Sequence, residues 1–183
     1  MKNNFSPFPN LESSRVLLRK LMPSDRLDIF RMRSNPKMCE HADMVVDECI
    51  EESDKYIAKI NAGIEANKWC TWAIELKDTQ RIIGQISLWN LNVELNKGEL
   101  GYGLNPKYWG QGLMKEAIDL VVYYAFNVMK LSSLEIYTEK SNERSLKLAS
   151  KCGFTYVREV EEVGSFKNEL FHYSVFEIKN HHA

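Results

Sequence analysis

The stretch Gly98-Glu-Leu-Gly-Tyr-Gly-Leu-Asn-Pro-Lys-Tyr-Trp-Gly-Gln-Gly-Leu-Met-Lys-Glu-Ala117 changes character halfway along. Residues 97–104 read as a strand, yet Gly101 and Gly103 interrupt it, and a glycine inside a strand packs no side chain. Such glycines imply a bulge or another molecule lying close against the backbone. Pro106 then disfavours helix at Asn105, and Gly110 and Gly112 let the chain turn sharply before a helix. A helix start of this kind exposes unsatisfied amide donors and a partial positive charge, which suits a phosphate or pyrophosphate. A lone G-x-G is weak evidence for that. The G-x-x-x-x-G-K-[ST] loop is absent, and no third glycine completes a G-x-G-x-x-G fingerprint after Gly110.

Downstream, residues 110–130 form a helix with one broad apolar stripe that includes Met114, Ala117, Ile118, Val121, Val122, Ala125, Phe126 and Met129. A buried strand at 134–138 follows, then a helix over 141–151, capped by Ser141 or Asn142 and stopped by Gly153. Two strands, 155–163 and 169–178, close the chain as a hairpin across 164–167. Upstream, 82–91 pairs with the alternating segment Trp72, Ile74, Leu76 as another hairpin. Residues 47–66 show helical spacing. Pro23-Ser24-Asp25 starts a helix that Asn35-Pro36 ends, and Val16-Leu17-Leu18 fits a strand. Residues 1–13 look like a flexible N-terminal lead-in to a single domain over 14–179. The order predicts an α/β fold around one mixed sheet.

With 183 residues, the chain is long enough for one sizeable core and too short for two. Its 24 basic and 25 acidic side chains leave no overall field to gather nucleic acid or anionic lipid, so any bound anion must be held locally. No apolar run approaches the roughly twenty residues of a membrane span, and the N-terminus carries no signal-peptide core, which points to the cytoplasm. Cys39, Cys49, Cys70 and Cys152 lack a paired spacing and read as free thiols. His41, His172, His181 and His182 are not spaced as zinc ligands, the last two lying in a polar end expected to fray, so no metal is expected. Cys152 precedes Gly153-Phe154 with no histidine nearby in sequence, which suits packing rather than nucleophilic catalysis. Trp69, Trp72, Trp89 and Tyr173 read as core or pocket wall.

Three ordered segments together resemble the GNAT superfamily, and within it the ribosomal-protein (serine/alanine) N-acetyltransferases. They are Glu99-Leu-Gly-Tyr-Gly-Leu, Trp109-Gly-Gln-Gly-Leu-Met-Lys-Glu-Ala117 and Ser141-Asn-Glu-Arg-Ser-Leu-Lys-Leu-Ala-Ser-Lys-Cys-Gly-Phe154. The family motif Q/R-x-x-G-x-G/A falls on Lys107-x-x-Gly110-x-Gly112, with lysine in the first place. The resemblance implies a mostly antiparallel sheet splayed where the thioester enters, flanked by helices. It further implies acetyl-CoA as cosubstrate and acetyl transfer to a primary amine, by direct attack in a ternary complex. The amides of Gly110, Gln111, Gly112, Leu113, Met114 and Lys115 would hold the pyrophosphate. The backbone of Tyr102, Gly103 and Leu104 would pair with pantetheine, and Asn142 would contact it. Glu99 matches the family's acidic residue and would serve as general base. Ser145 falls where relatives place a hydroxyl near the sulfur and would protonate the leaving thiolate. Glu40 and His41 would line the acceptor pocket. A base is needed because a lysine amine, with pKa about 10.4, is protonated at neutral pH, whereas an α-amine near 7.7 to 8.0 is partly neutral. The acceptor stays open between a ribosomal-protein N-terminus, a polyamine, an antibiotic and an amino-acid derivative. A non-catalytic module that senses CoA or holds a partner in the same cleft is the rival reading, and the last hairpin offers an edge for a homodimer.

Overall fold

The computed structural model describes residues 5–180, so the expected fraying at His181 and His182 lies outside the described residues. Eight strands form one sheet. In chain order they are β1 (Leu11–Glu12), β2 (Val16–Arg19), β3 (Cys70–Leu76), β4 (Arg81–Asn92), β5 (Lys97–Leu104), β6 (Ser133–Glu139), β7 (Thr155–Val163) and β8 (Leu170–Lys179). They lie side by side as β1-β2-β3-β4-β5-β6-β8-β7. Every neighbouring pair is antiparallel except β5 and β6. Among the described residues, five α-helices flank the sheet: α1 (Arg26–Arg33), α2 (Pro36–Cys39), α3 (Ile50–Glu65), α4 (Leu113–Tyr123) and α5 (Glu143–Lys151). The mixed, mostly antiparallel single-domain α/β fold read from the sequence is the one observed.

Each sheet face is covered for a reason visible in the side chains. Leu113, Met114, Ala117, Ile118 and Val121 of α4 are buried in the main core with Trp72, Ile86, Leu88, Leu100 and Leu134. Each large side chain buried there contributes roughly 1.5–3 kcal/mol. On the opposite face, Ile29 and Met32 of α1 and Ile57 of α3 pack with Leu21, Ala73 and Ile82. Buried ion pairs fix that second layer. Arg19 forks onto Asp25 at 2.8 and 2.9 Å and also donates to Glu75, while Arg33 and Ser53 hold Asp47, tying α1 to α3.

Several expected boundaries move. Pro36 ends the helix before it, as expected, but also opens the short α2, because proline's fixed φ suits a first helical turn. The helix expected at 47–66 begins at Ile50, since Cys49 is still extended. The helix expected over 110–130 is α-helical only through Tyr123 and widens into a π-turn at Tyr124–Val128.

The described part of the N-terminal lead-in, residues 5–13, is not loose. Phe5 is buried in the main core, Phe8 packs on Trp72, the Trp72 Nε1–H donates to the Pro9 carbonyl at 2.6 Å, and β1 pairs with β2. Its proline-rich composition hid two aromatic anchors whose burial outweighs the entropy of ordering the segment. Phe5→Ala is expected to lower unfolding stability by about 3 kcal/mol in urea titration. A loss under about 0.5 kcal/mol, the range of ordinary surface substitutions, would show that the segment contributes nothing to the core.

Candidate active site

The parallel pair β5 and β6 is hydrogen-bonded over only three residue pairs, Lys97 with Ser133, Gly98 with Leu134 and Glu99 with Glu135. Beyond Glu99 the strands part, β5 continuing against β4 and β6 against β8. The result is a V-shaped gap whose vertex carries Glu99 and Glu135. Both strands run toward the open end, and each feeds a helix there, β5 through the glycine turn into α4 and β6 into α5. Two helix N-termini therefore flank the mouth of the gap.

The glycine turn is built as its sequence implied. Gly110 and Gly112 have φ of +74° and +79°, a region that costs most side chains strain, and Gly112 is the residue that caps α4. A β-carbon at Gly110 would meet nothing within 4 Å, so the space above the turn is open. The ladder of α4 begins with Glu116 N–H donating to Gly112, and the amides of Leu113, Met114 and Lys115 have no backbone acceptor among the described residues. Those donors and that open space fit a diphosphate. The side chains are otherwise engaged: Leu113 and Met114 are buried, Lys115 pairs with Asp119 at 2.7 Å, and Gln111 donates to the Lys107 carbonyl. Arg15, just ahead of β2, braces the turn, donating to the Gln111 carbonyl at 3.0 Å and pairing with Glu116, which Ser13 also holds.

Gly101 and Gly103 of β5 sit in regular register with β4, and no bulge lies at them. The shift falls instead between Trp89 and Asn92, beside Glu99. There Asn90, at φ +46°, aims its amide at Glu99 and donates to the carboxylate. Gly101 has open space apart from Trp89 Nε1, which a β-carbon would meet at 3.5 Å, and Gly103 lies under Met38 of α2. Glu99 is half-buried, and that burial pushes its carboxyl above the usual range; Glu135 and Glu162 push the same way against Asn90 and Arg158.

Across the gap on the α4–α5 face, the Tyr102 hydroxyl lies 2.8 Å from Ser145 Oγ, which lies 3.1 Å from Thr138 Oγ1. Tyr102 comes from β5, Thr138 from β6 and Ser145 from α5, so the three hydroxyls span the V. Burial pushes Tyr102 up to about 12, with the Ser145 contact pulling it partly back, so it stays protonated at neutral pH. Asn142 caps α5: its Oδ1 accepts the Ser145 amide at 3.2 Å, which fixes the first turn and hence the hydroxyl. Cys152 is raised to about 11 by burial and is a poor thiolate, as its expected packing role requires.

The loop between α2 and α3 closes the Glu99 face. Asp43 accepts the amides of Ser165, Phe166 and Lys167 at the tip of the β7–β8 hairpin, and His41 Nδ1 lies 3.2 Å from Ser141 Oγ. Trp72 is core, as expected, whereas Trp89 is 47% exposed as a wall beside Glu99. A separate depression of about 260 Å³, lined by Lys140, Glu159, Val160, Glu161, His172 and Tyr173, contains none of the expected site residues.

Thus the structure brings Glu99, Tyr102, Ser145 and the glycine turn around one gap. Sequence reasoning used only the backbone of Tyr102 and missed its hydroxyl, Thr138, Asn90, Glu135 and Arg158. The first was legible from strand alternation, which puts residues 100, 102 and 104 on one face; the others depend on which strands become neighbours.

The acetyltransferase (GNAT) domain family matches residues 15–155. The chain is 32% identical over 147 residues to the Bacillus subtilis (strain 168) protein named uncharacterized N-acetyltransferase YoaA, covering 80% of this chain and 83% of that one. Among solved structures, ribosomal-protein-S5-alanine acetyltransferase from Vibrio fischeri superimposes with a TM-score of 0.81 at 18% identity, covering 95% of this chain and 98% of that one. Spermidine N-acetyltransferase from Vibrio cholerae, in complex with CoA and spermine, superimposes at 0.77 and 19% identity, covering 92% and 97%. At such identities the solved neighbours establish the fold, while the domain match and the Bacillus relative establish the lineage: the chain belongs to the acetyltransferase (GNAT) domain family and is an acetyl-CoA-dependent N-acetyltransferase.

Proposed function

We propose that the chain moves the acetyl group of acetyl-CoA to a primary amine, an N-terminal α-amine or a small-molecule amine, by direct attack in a ternary complex. The observation that carries this reading is the V-shaped gap with an anion-binding turn at its mouth and a carboxylate at its vertex. The amides from Gly110 to Lys115 hold the diphosphate, and the edge of β5 at Tyr102, Gly103 and Leu104, which has no strand partner on its β6 side, pairs with the pantetheine arm. The thioester then lies beside Glu99.

The amine nitrogen forms a bond to the thioester carbonyl carbon and gives its proton to Glu99, directly or through a water. The C–S bond breaks, and the thiolate takes a proton from the Tyr102–Ser145 hydroxyl pair, leaving an amide and free CoA. Unpaired donors on the gap side of β5 stabilise the charge on the carbonyl oxygen as it develops. Ser145 passes its proton to the thiolate while Tyr102 donates to Ser145; Glu99 then releases the amine's proton to solvent, and the hydroxyl pair regains one from solvent, so the cycle closes. The names of the solved neighbours keep ribosomal-protein N-termini and polyamines together as acceptor classes. An α-amine asks less of the base, because it is already partly neutral at pH 7.

Isothermal titration is expected to detect acetyl-CoA binding, with Gly112→Asp weakening it at least about tenfold, roughly 1.4 kcal/mol. The aspartate would strain the turn and set a carboxylate against the diphosphate. A folded variant of unchanged affinity contradicts the cradle, and no binding at all ends the reading. Thiol release should be screened against alanine- and serine-starting peptides, spermidine and aminoglycosides. On the best acceptor, Glu99→Gln is expected to slow transfer about a hundredfold or more.

The same substitution should change stability with a definite sign. A carboxyl whose folded pKa is raised contributes stability below its unfolded pKa, near 4.3, and loses it as pH rises through the folded value. Glu99 is therefore a cost at neutral pH. Glu99→Gln should melt above the parent at pH 7, with the difference shrinking toward pH 4; a variant that melts lower at pH 7 would mean that the charged carboxylate is favourably held.

A further inference from the structure

Glu99 and Glu135 are register partners at the vertex of the gap, on one face of adjacent parallel strands, yet their surroundings differ. Arg158 reaches from β7 across β8 and forks onto Glu135, donating to Oε1 at 2.9 Å and Oε2 at 2.8 Å. It also donates to the Tyr137 hydroxyl at 2.8 Å, which in turn donates to Glu135 at 3.2 Å. Glu135 is thereby held charged, below the usual carboxylate range, chiefly by its hydrogen bonds to Arg158. Glu99 receives only the neutral Asn90 amide and feels Glu135 as a like charge.

The reach of Arg158 has a structural origin. The register between β7 and β8 shifts between Tyr156 and Arg158, so that Arg158 rather than Val157 faces Val175. Val175 is also the β8 partner of Tyr137, which places the guanidinium over the vertex. Without that one-residue irregularity the alternation of β7 would carry Arg158 to the α5 face.

Resting on the reading of Glu99 as base, we propose that Arg158 and Glu135 act as a positioning pair: Glu135 captures the guanidinium that would otherwise pair with Glu99, and leaves Glu99 as the carboxylate free to take a proton from the amine. Two carboxylates at one vertex within reach of one guanidinium would share it. The fork removes that degeneracy, since a planar guanidinium bound through two parallel bonds to one carboxylate has little left for its neighbour. One carboxylate is neutralised and fixed, and the other remains basic, the division of roles expected where paired titratable groups are driven apart.

Every charged group facing Glu99 bears on the sign of the test. Lys97, two residues earlier on β5, is paired with Glu177 at 3.2 Å. β4 contributes neutral Trp89 and Asn90, β6 contributes Glu135 and Tyr137, β7 contributes Arg158 and Glu162, β8 contributes Tyr173 and Glu177, and the α2–α3 loop contributes His41 and Asp43, the latter held by three backbone amides. Removing the charge of Glu135 takes away a like charge and frees Arg158 toward Glu99, so both effects lower the Glu99 pKa. Removing the charge of Arg158 takes away the cation and leaves Glu135 unneutralised, so both effects raise it.

The experiment labels glutamate at Cδ and follows the Glu99 carboxyl by NMR titration of the full chain without acceptor, the resonance being identified by its loss in Glu99→Gln. Glu135→Gln should lower the midpoint and Arg158→Met should raise it, each by roughly half to one pH unit, because the groups are partly exposed. Arg158→Lys should lie between the parent and Arg158→Met, since an ammonium keeps the charge without the fork. The acid limb of kcat/KM, measured with spermidine and with an alanine-starting peptide, should move with the NMR midpoint. The amine's own ionisation is identical for all variants and cancels from the comparison. A merely structural role would not displace two variants in opposite directions. Midpoints that move together, or by less than about 0.2 unit, overturn the proposal. A Glu99→Gln chain that transfers acetyl at the parent rate overturns the underlying base reading, whichever way the midpoints move. Slow transfer by Glu99→Gln, combined with Glu99 midpoints that move the same way in Glu135→Gln and Arg158→Met, overturns the tuning alone.

Discussion

Strands β5 and β6 share hydrogen bonds at three residue pairs and then separate, and most of what the molecule offers chemically depends on that divergence. A sheet closed to the ends of both strands would leave no backbone edge in its middle. Here the sheet stays continuous through the vertex, where Glu99 pairs with Glu135, and opens beyond it, so a polar backbone edge lies inside the protein and not at its rim. Such an edge can accept an extended arm as though it were another strand.

The divergence also explains the arrangement of helices. Because β5 and β6 are parallel, both carboxyl ends lie at the open side, and the helices that follow them bring their N-termini there together. One N-terminus, preceded by two left-handed glycines, keeps its donors free. The other is satisfied internally: Asn142 takes the Ser145 amide, so the second helix contributes a hydroxyl and not an anion site. The two faces of the gap also divide the labour. Glu99, Asn90 and Glu135 occupy the face toward α1–α3, whereas Tyr102, Thr138 and Ser145 form a hydroxyl chain on the α4–α5 face. The carboxylates and the hydroxyl chain thus lie on opposite faces of the same strand.

Much of this was legible in one dimension. The limits of β5 were read correctly because the glycine-bearing strand is bounded by Asn96 and by Asn105-Pro106. The turn at 110–112 was legible because only glycine tolerates its φ cheaply. The N-terminal segment was misread because its prolines and serines advertise a loop while Phe5 and Phe8 bury themselves. Gly101 and Gly103 allowed either a bulge or a molecule lying close against the backbone; no bulge lies at them, and the register shift falls between Trp89 and Asn92, since such shifts depend on how two strands match and not on either alone.

The sequence by itself determined local matters: where strands, turns and helices lie and which turn presents amide donors, whereas Glu99 and Ser145 were singled out only through the resemblance to the family. Periodicity and backbone sterics act over a few residues, and a few residues suffice to read them. Tertiary structure alone decided that Tyr102 and Thr138 meet at Ser145, that Arg158 forks onto Glu135, and that Asp43 bolts the α2–α3 loop to the tip of the β7–β8 hairpin. Those contacts join residues 7 to 124 positions apart. Their partners are selected by strand order and by a one-residue slip in β7, neither of which any local pattern encodes.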